Sequence, residues 1–252
     1  MVDRFANIYD AHDHSLRVLE VITGYDAFLD SLTTVADMGC GTGLDMRWWA
    51  TLETRDDEPA KYNYTCYAID RDLSKFDYEN LPPNIKPIEA NFENKIELEK
   101  TIDLLWCHDS FQYAVNPMQT LKNWNEMMTV NGMMIIMLPQ TSGHEYNRFM
   151  HRVYNGHYFS HNICNLFYML AVNGFDCRDS YMYKVENDPW IHLAVYKSDI
   201  PPMDPYTTTW NDLDEKGLLH KTLSNSIRSY GYLRQEDILL QWLDKQLYFV
   251  KD

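Results

Sequence analysis

The chain has no Cys-x-x-Cys pair, no run of basic residues longer than two, and no apolar stretch near the roughly 20 residues that cross a bilayer. Each absence removes a class of protein. Five cysteines, Cys40, Cys66, Cys107, Cys164 and Cys177, form an odd set lying mostly inside apolar runs, so they read as reduced core thiols rather than a disulfide frame or a zinc ribbon. A formal charge of −15 and a pI near 4.9 exclude a wide phosphate-neutralising face, so direct wide-surface binding of nucleic acid is not expected. The acidic excess serves solubility. The amino terminus, Met-Val-Asp-Arg, lacks the charged-then-apolar layout of a secretory signal, and the expectation is a cytoplasmic protein with no membrane contact.

Metal-ligand spacing is missing as well. His12 and His14 flank Asp13, but adjacent residues on a helix diverge and do not converge on one ion. His144, His151, His157 and His161 have neither cysteine partners nor a zincin pattern, so no metal is expected. Seven tryptophans and eighteen tyrosines on so acidic a chain read as core and interface aromatics rather than base-stacking platforms.

What the chain does have is hydrophobic content of 45% over 252 residues, enough for one sizeable core. Strand-length apolar segments alternate with helix-period segments from about residue 35 to 197, the pattern of a largely parallel sheet covered by helices. Strands are predicted at Val35–Met38, Cys66–Ile69, Asn84–Ala90 with Pro87 demoting it toward an edge, Asp103–Cys107, and Met133–Leu138. A final strand pair is predicted at 175–183 and 190–197, around the turn-prone Glu186-Asn187-Asp188-Pro189. Helices are predicted at Leu44–Glu53, at Pro117–Met128 closed by Asn131-Gly132, and at Ser160–Val172 closed by Asn173-Gly174. Residues 1–32 read as an amphipathic helical lead-in and 33–198 as the α/β domain. Residues 199–252 read as a proline-rich linker followed by two helices near 210–229 and 235–248, whose apolar content asks for a surface on the chain's own domain or on another subunit or protein partner.

The run Val35-Ala36-Asp37-Met38-Gly39-Cys40-Gly41-Thr42-Gly43 is a strand, an acidic residue and a glycine turn opening into a helix. Glycines at alternate positions let the backbone turn sharply and approach a ligand where a Cβ would clash. A dinucleotide fingerprint requires glycine at the first, third and sixth positions, but the sixth residue from Gly39 is Leu44. No Gly-Lys-Ser/Thr follows the turn, which excludes a P-loop. Asp70, ending the second strand, is placed to accept both hydroxyls of a ribose, or simply to cap the residues after it.

Asp-x-Gly-x-Gly-x-Gly resembles the first motif of the class I S-adenosylmethionine-dependent methyltransferases, of the general small-molecule type. The order of motifs over residues 35–138 resembles that family too, and the resemblance extends to about residue 197. It implies a Rossmann-like sheet of seven strands with the last antiparallel, S-adenosylmethionine as cofactor, and a small-molecule acceptor. By that resemblance Asp37, Gly39, Cys40, Gly41, Gly43 and Asp70 would hold the donor. Asn91 would read adenine with Phe92 packed on its face, and Tyr9 of the lead-in would approach the sulfonium. In Asp103-Leu104-Leu105-Trp106-Cys107-His108-Asp109-Ser110-Phe111-Gln112-Tyr113, His108 would line the methionine arm or act as general base, with Asp109 a weaker catalytic candidate. Phe111, Gln112 and Tyr113 would face the acceptor. This segment departs from the Asn/Asp-Pro-Pro-Tyr pattern, which speaks against adenine and glutamine amino groups as acceptors. Two other readings stay open: a non-catalytic structural or assembly protein on the same fold, and a protein or RNA methyltransferase that depends on a partner subunit.

Overall fold

A computed structural model describes residues 15, 18–19, 26–52, 63–139, 163–183 and 190–234. After a short helix, α1 (Asp26–Ser31), the chain alternates β1 (Thr34–Met38), α2 (Leu44–Ala50), β2 (Thr65–Asp70), β3 (Ile85–Glu89), β4 (Ile102–His108), α3 (Pro117–Met127) and β5 (Met128–Pro139). It continues through α4 (Ile163–Val172), β6 (Phe175–Tyr183), β7 (Trp190–Lys197), α5 (Trp210–Glu215) and α6 (Lys221–Tyr230). The strands form one seven-stranded sheet in the order β3-β2-β1-β4-β5-β7-β6. β1 to β5 pair in parallel, and β7 runs antiparallel to both β5 and β6, as the family resemblance implies.

The strands are apolar runs because helices cover both faces, and a residue on either side of the pleat must therefore be buried. Along β4, Leu105 and Cys107 enter one core with Leu121 and Trp124 of α3 and with Leu166 and Phe167 of α4. Leu104 and Trp106 enter the other, with Met46 and Trp49 of α2 and with Val18 and Leu19. Pro87 lies in β3, an edge strand, where its missing N–H costs no ladder bond. The order reverses beside β1, whose neighbours are β2 and β4, and this opens a crevice at the carboxyl ends of those strands.

Three local expectations need correction. α2 ends at Ala50 rather than Glu53, where the Thr51 hydroxyl turns back to donate to Arg47 O at 2.7 Å. α3 ends at Met127, and Asn131-Gly132 does not close it. The pair sits inside β5, where the register jumps from Ile102↔Met128 to Leu104↔Met133 and Asn131 takes φ 66°. The expected helix over 210–229 is two helices, because Gly217 at φ 66° ends α5 in a Schellman motif, with Gly217 N donating to Asp214 O at 2.9 Å and Leu218 N to Leu213 O at 3.0 Å. Leu213, Leu218, Leu219, Leu223 and Ile227 of this region are buried with α4 in the chain's own core. The expected helix near 235–248 lies outside the described residues, and no described helix is long and apolar enough to cross a membrane.

Candidate functional site

The chain turns out of β1 at Gly39 and Cys40, whose N–H groups both donate to Ile69 O at the end of β2, at 2.8 and 3.0 Å. Gly39, Gly41 and Gly43 have φ of 93°, 52° and 82°, the left-handed region that favours glycine. Their reasons differ. A Cβ on Gly39 would stand 2.3 Å from Ser110 Cβ, and one on Gly43 would stand 2.3 Å from the Phe76 ring. A Cβ on Gly41 would meet nothing within 4 Å. Two glycines therefore let the loop pack on its own protein, and the third leaves an open, exposed backbone surface.

Beside that surface is Asp70. Its Oδ2 accepts from Gly41 N at 2.9 Å and its Oδ1 from Asp72 N at 3.1 Å, so the carboxylate is fixed against the glycine loop. Asp37, behind the loop on β1, is 3% exposed, and its Oδ1 meets no hydrogen-bond partner among the described residues. Burial first, and then the charges of Asp45 and Asp70, push the Asp37 carboxyl well above the ordinary carboxylate range. Burial likewise pushes the Cys40 thiol far up, so it stays protonated.

β4 delivers the third side of the crevice. His108 Nδ1 stands 3.3 Å from Asp45 Oδ2, with both side chains buried. Asp109, at φ 51°, is exposed and accepts from Gln112 Nε2, while Ser110 donates from its hydroxyl to Met38 O. Gln112 is buried with its Oε1 unpartnered among the described residues, and Tyr113 is half-buried. Burial and the Asp109 charge raise the Tyr113 hydroxyl, against the opposing charge of Arg71.

The structure places Asp37, Gly39, Cys40, Gly41, Gly43, Asp70 and His108 at the carboxyl ends of β1, β2 and β4, with Asp109 just after β4 and Gln112 and Tyr113 on the 3₁₀ turn that follows it. Other residues go elsewhere. Phe111 is fully buried, its ring 5.4 Å from that of Trp124, and belongs to the core. Phe92 is buried against the same Trp124 at 5.9 Å, while Asn91 is exposed with its Oδ1 accepting from Glu93 N at 3.0 Å. Asn91 is thus exposed to solvent and Phe92 packs into the core. Tyr9 lies outside the described residues. Two residues were missed from sequence: Ser110, whose packing requires Gly39, and Asp45. An acid in the first turn of a helix reads as a partner of the helix dipole, which hides a buried role.

Residues 36–136 match the family model of the methyltransferase domain. A malonyl-[acyl-carrier protein] O-methyltransferase of Coxiella burnetii is 26% identical over 105 residues, which are 42% of this chain and 40% of that protein, so the match spans two-fifths of the relative's length. Human N-acetylserotonin methyltransferase, solved with S-adenosylmethionine, superposes at TM-score 0.52 with 14% identity, covering 73% of this chain and 52% of that one. A chain of the complex between the Haloferax volcanii methyltransferase activator Trm112 and its methyltransferase superposes at 0.53 with 11% identity, covering 69% and 88%. At these identities the solved structures speak for the fold.

Proposed function

The chain carries a class I S-adenosylmethionine-dependent methyltransferase domain, and from that premise we propose that it binds S-adenosylmethionine at the carboxyl edge of β1, β2 and β4 and methylates a small-molecule acceptor. The observation that carries this reading is the open space at Gly41 beside the fixed Asp70 carboxylate, at the reversal of strand order. Asp70 keeps acceptor lone pairs for ribose hydroxyls beyond the two backbone N–H groups it already receives. The buried, unpartnered Asp37 oxygen and its acidic neighbours suit a cationic ligand.

Bound there, the donor supplies a methyl group made electrophilic by its sulfonium. The protein's task is alignment and exclusion of water. Cys40, protonated and buried, contributes backbone and shape. His108 is the residue for proton exchange with the acceptor, Asp109 orders the turn through Gln112, and Tyr113 presents the acceptor-side surface.

Calorimetry with S-adenosylmethionine and its demethylated product, without added metal, tests the reading. Binding of both is expected, with Asp70→Ala weakening it by about 1–3 kcal/mol through loss of charge-assisted hydrogen bonds. No heat and no thermal stabilisation at millimolar ligand, with the fold intact, would overturn the reading and favour the assembly protein. A second reading, dependence on a protein partner, rests on the likeness to a methyltransferase solved with its activator. It predicts donor binding by the isolated chain that is strengthened when a co-purifying protein is retained.

A further inference from the structure

We propose that Asp45 is a positioning residue for His108: it holds the imidazole with the Nδ1 proton directed inward, so that Nε2 is the nitrogen that exchanges protons at the site. The inference rests on the reading of His108 as part of the methyl-transfer site, and it names a residue outside the family motif on which that reading stands.

Three side chains from two parts of the chain converge on this one carboxylate. Asp45, 6% exposed in the first turn of α2, accepts at Oδ2 from the Trp106 indole Nε1 at 2.8 Å and at Oδ1 from the Ser15 hydroxyl at 3.1 Å. His108 Nδ1 approaches the same Oδ2 at 3.3 Å. Trp106 and His108 are two residues apart on β4, so their side chains emerge on the same face of the sheet, the face that α2 covers.

An indole N–H only donates, so the oxygen in front of Trp106 must accept, and the carboxylate cannot turn away without stranding a buried donor. An imidazole nitrogen facing that acceptor is best satisfied as N–H, which assigns the tautomer. A buried carboxylate is costly unless such donors surround it, and the start of α2 adds a favourable dipole. The arrangement therefore suits an anion. Asp45 is buried and reaches His108, so its effect on chemistry passes through the ring.

The test is nitrogen-15 NMR of the neutral histidines in the ligand-free full chain, comparing wild type with Asp45→Asn. An amide at position 45 can still offer its oxygen to Trp106, because the Ser15 hydroxyl can accept as well as donate. Charge is then lost with little change of shape. The wild-type His108 spectrum is expected to show the Nδ1–H form. In Asp45→Asn the Nε2–H share of His108 should rise by about tenfold, because a neutral oxygen holds the Nδ1 proton more weakly than a carboxylate. An unchanged share in folded Asp45→Asn, or an Nε2–H ring in wild type, overturns the proposal. If Asp45→Asn fails to fold, Ser15→Ala decides. Removing one donor leaves the carboxylate a stronger acceptor, so the His108 Nδ1 proton resonance should move downfield, and an unmoved resonance overturns the proposal. Because the measurement uses no donor, its outcome is independent of the calorimetry. An unchanged tautomer share with intact donor binding removes only the Asp45 role, and a changed share without donor binding removes only the methyl-transfer reading.

Discussion

Two helices of this protein begin in opposite ways. α5 opens on a full capping box: Thr209 Oγ1 accepts from Asp212 N at 3.2 Å, and Asp212 Oδ2 accepts from Thr209 N at 2.7 Å. α2 opens on Gly43, which has no side chain to offer. The surroundings follow the same division. Near α5 and α6 the chain serves its own backbone, with the Tyr168 hydroxyl donating to Thr208 O at 2.8 Å and His220 Nδ1 accepting from Thr222 N at 3.3 Å. Both regions hold a buried carboxylate oxygen without a partner among the described residues, Asp214 Oδ1 and Asp37 Oδ1, and an exposed positive-φ glycine facing open space, Gly231 and Gly41. At α6 the glycine is accounted for by the helix it ends, with Gly231 N donating to Ile227 O at 2.7 Å, and the other Asp214 oxygen accepts from Arg228 Nε at 2.9 Å, whereas Gly41 ends no helix. The first region is organised for stability. The second tolerates local cost, which is the signature of a place prepared for a ligand.

Substitutions in the glycine loop test that division most severely. Gly39→Val combines a left-handed φ of 93° with a Cβ 2.3 Å from Ser110, so unfolding free energy should drop by about 3 kcal/mol or more, read by urea denaturation. Gly41→Val, at φ 52° and with no neighbour within 4 Å, should lose only about 1–2 kcal/mol yet abolish donor binding in calorimetry. Equal destabilisation by the two would erase the distinction between a glycine required by the protein and one required by the ligand.

On the stability side, His220 gives the next largest effect. Burial, and secondarily the charge of Lys221, push its imidazole from 6.5 to about 4, with Asp179 acting in the opposite direction. The ring stacks on Phe167 at 5.7 Å and caps α6 as a neutral acceptor. The folded value lies below the unfolded one, so the unfolded chain binds the extra proton. Stability from this group is therefore complete above about pH 6.5 and lost as pH falls toward 4, by about 3 kcal/mol over the window. Asp37, whose carboxyl is raised, contributes with the opposite sign, so the comparison must be wild type against His220→Gln. The difference between their denaturation free energies should shrink from pH 7.5 to 4.5, and a constant difference would remove His220 from the account.

Much of this was legible in the sequence because it rests on short-range rules. Buried parallel strands are uninterrupted apolar runs, and β1 and β2 fall within a residue of their expected limits. The glycine loop declares itself by spacing alone. What depends on long-range packing was not legible. Gly217 was a local stop signal between the two helices, but the apolar pattern from Trp210 to Ile227 continues across it and masked the break. Phe111 and Tyr113 are two residues apart on a 3₁₀ turn, and only the position of Trp124 decides which ring is core. Asp45 required knowing that Trp106, 61 residues later, would bring an indole N–H to it.

The smallest effect sharpens the comparison from the other side. Thr209→Ala removes the hydroxyl that receives Asp212 N and should cost about 1 kcal/mol of unfolding free energy, with donor binding unchanged. The corresponding repair of α2 is barred: a capping serine at position 43 would need a Cβ where the Phe76 ring already stands, 2.3 Å away. Gly43→Ser should therefore destabilise, although serine is a favoured cap elsewhere. If thermal denaturation instead found Gly43→Ser stabilised, the bare start of α2 would be an ordinary missing cap, and the contrast between the two helices would say nothing about a ligand.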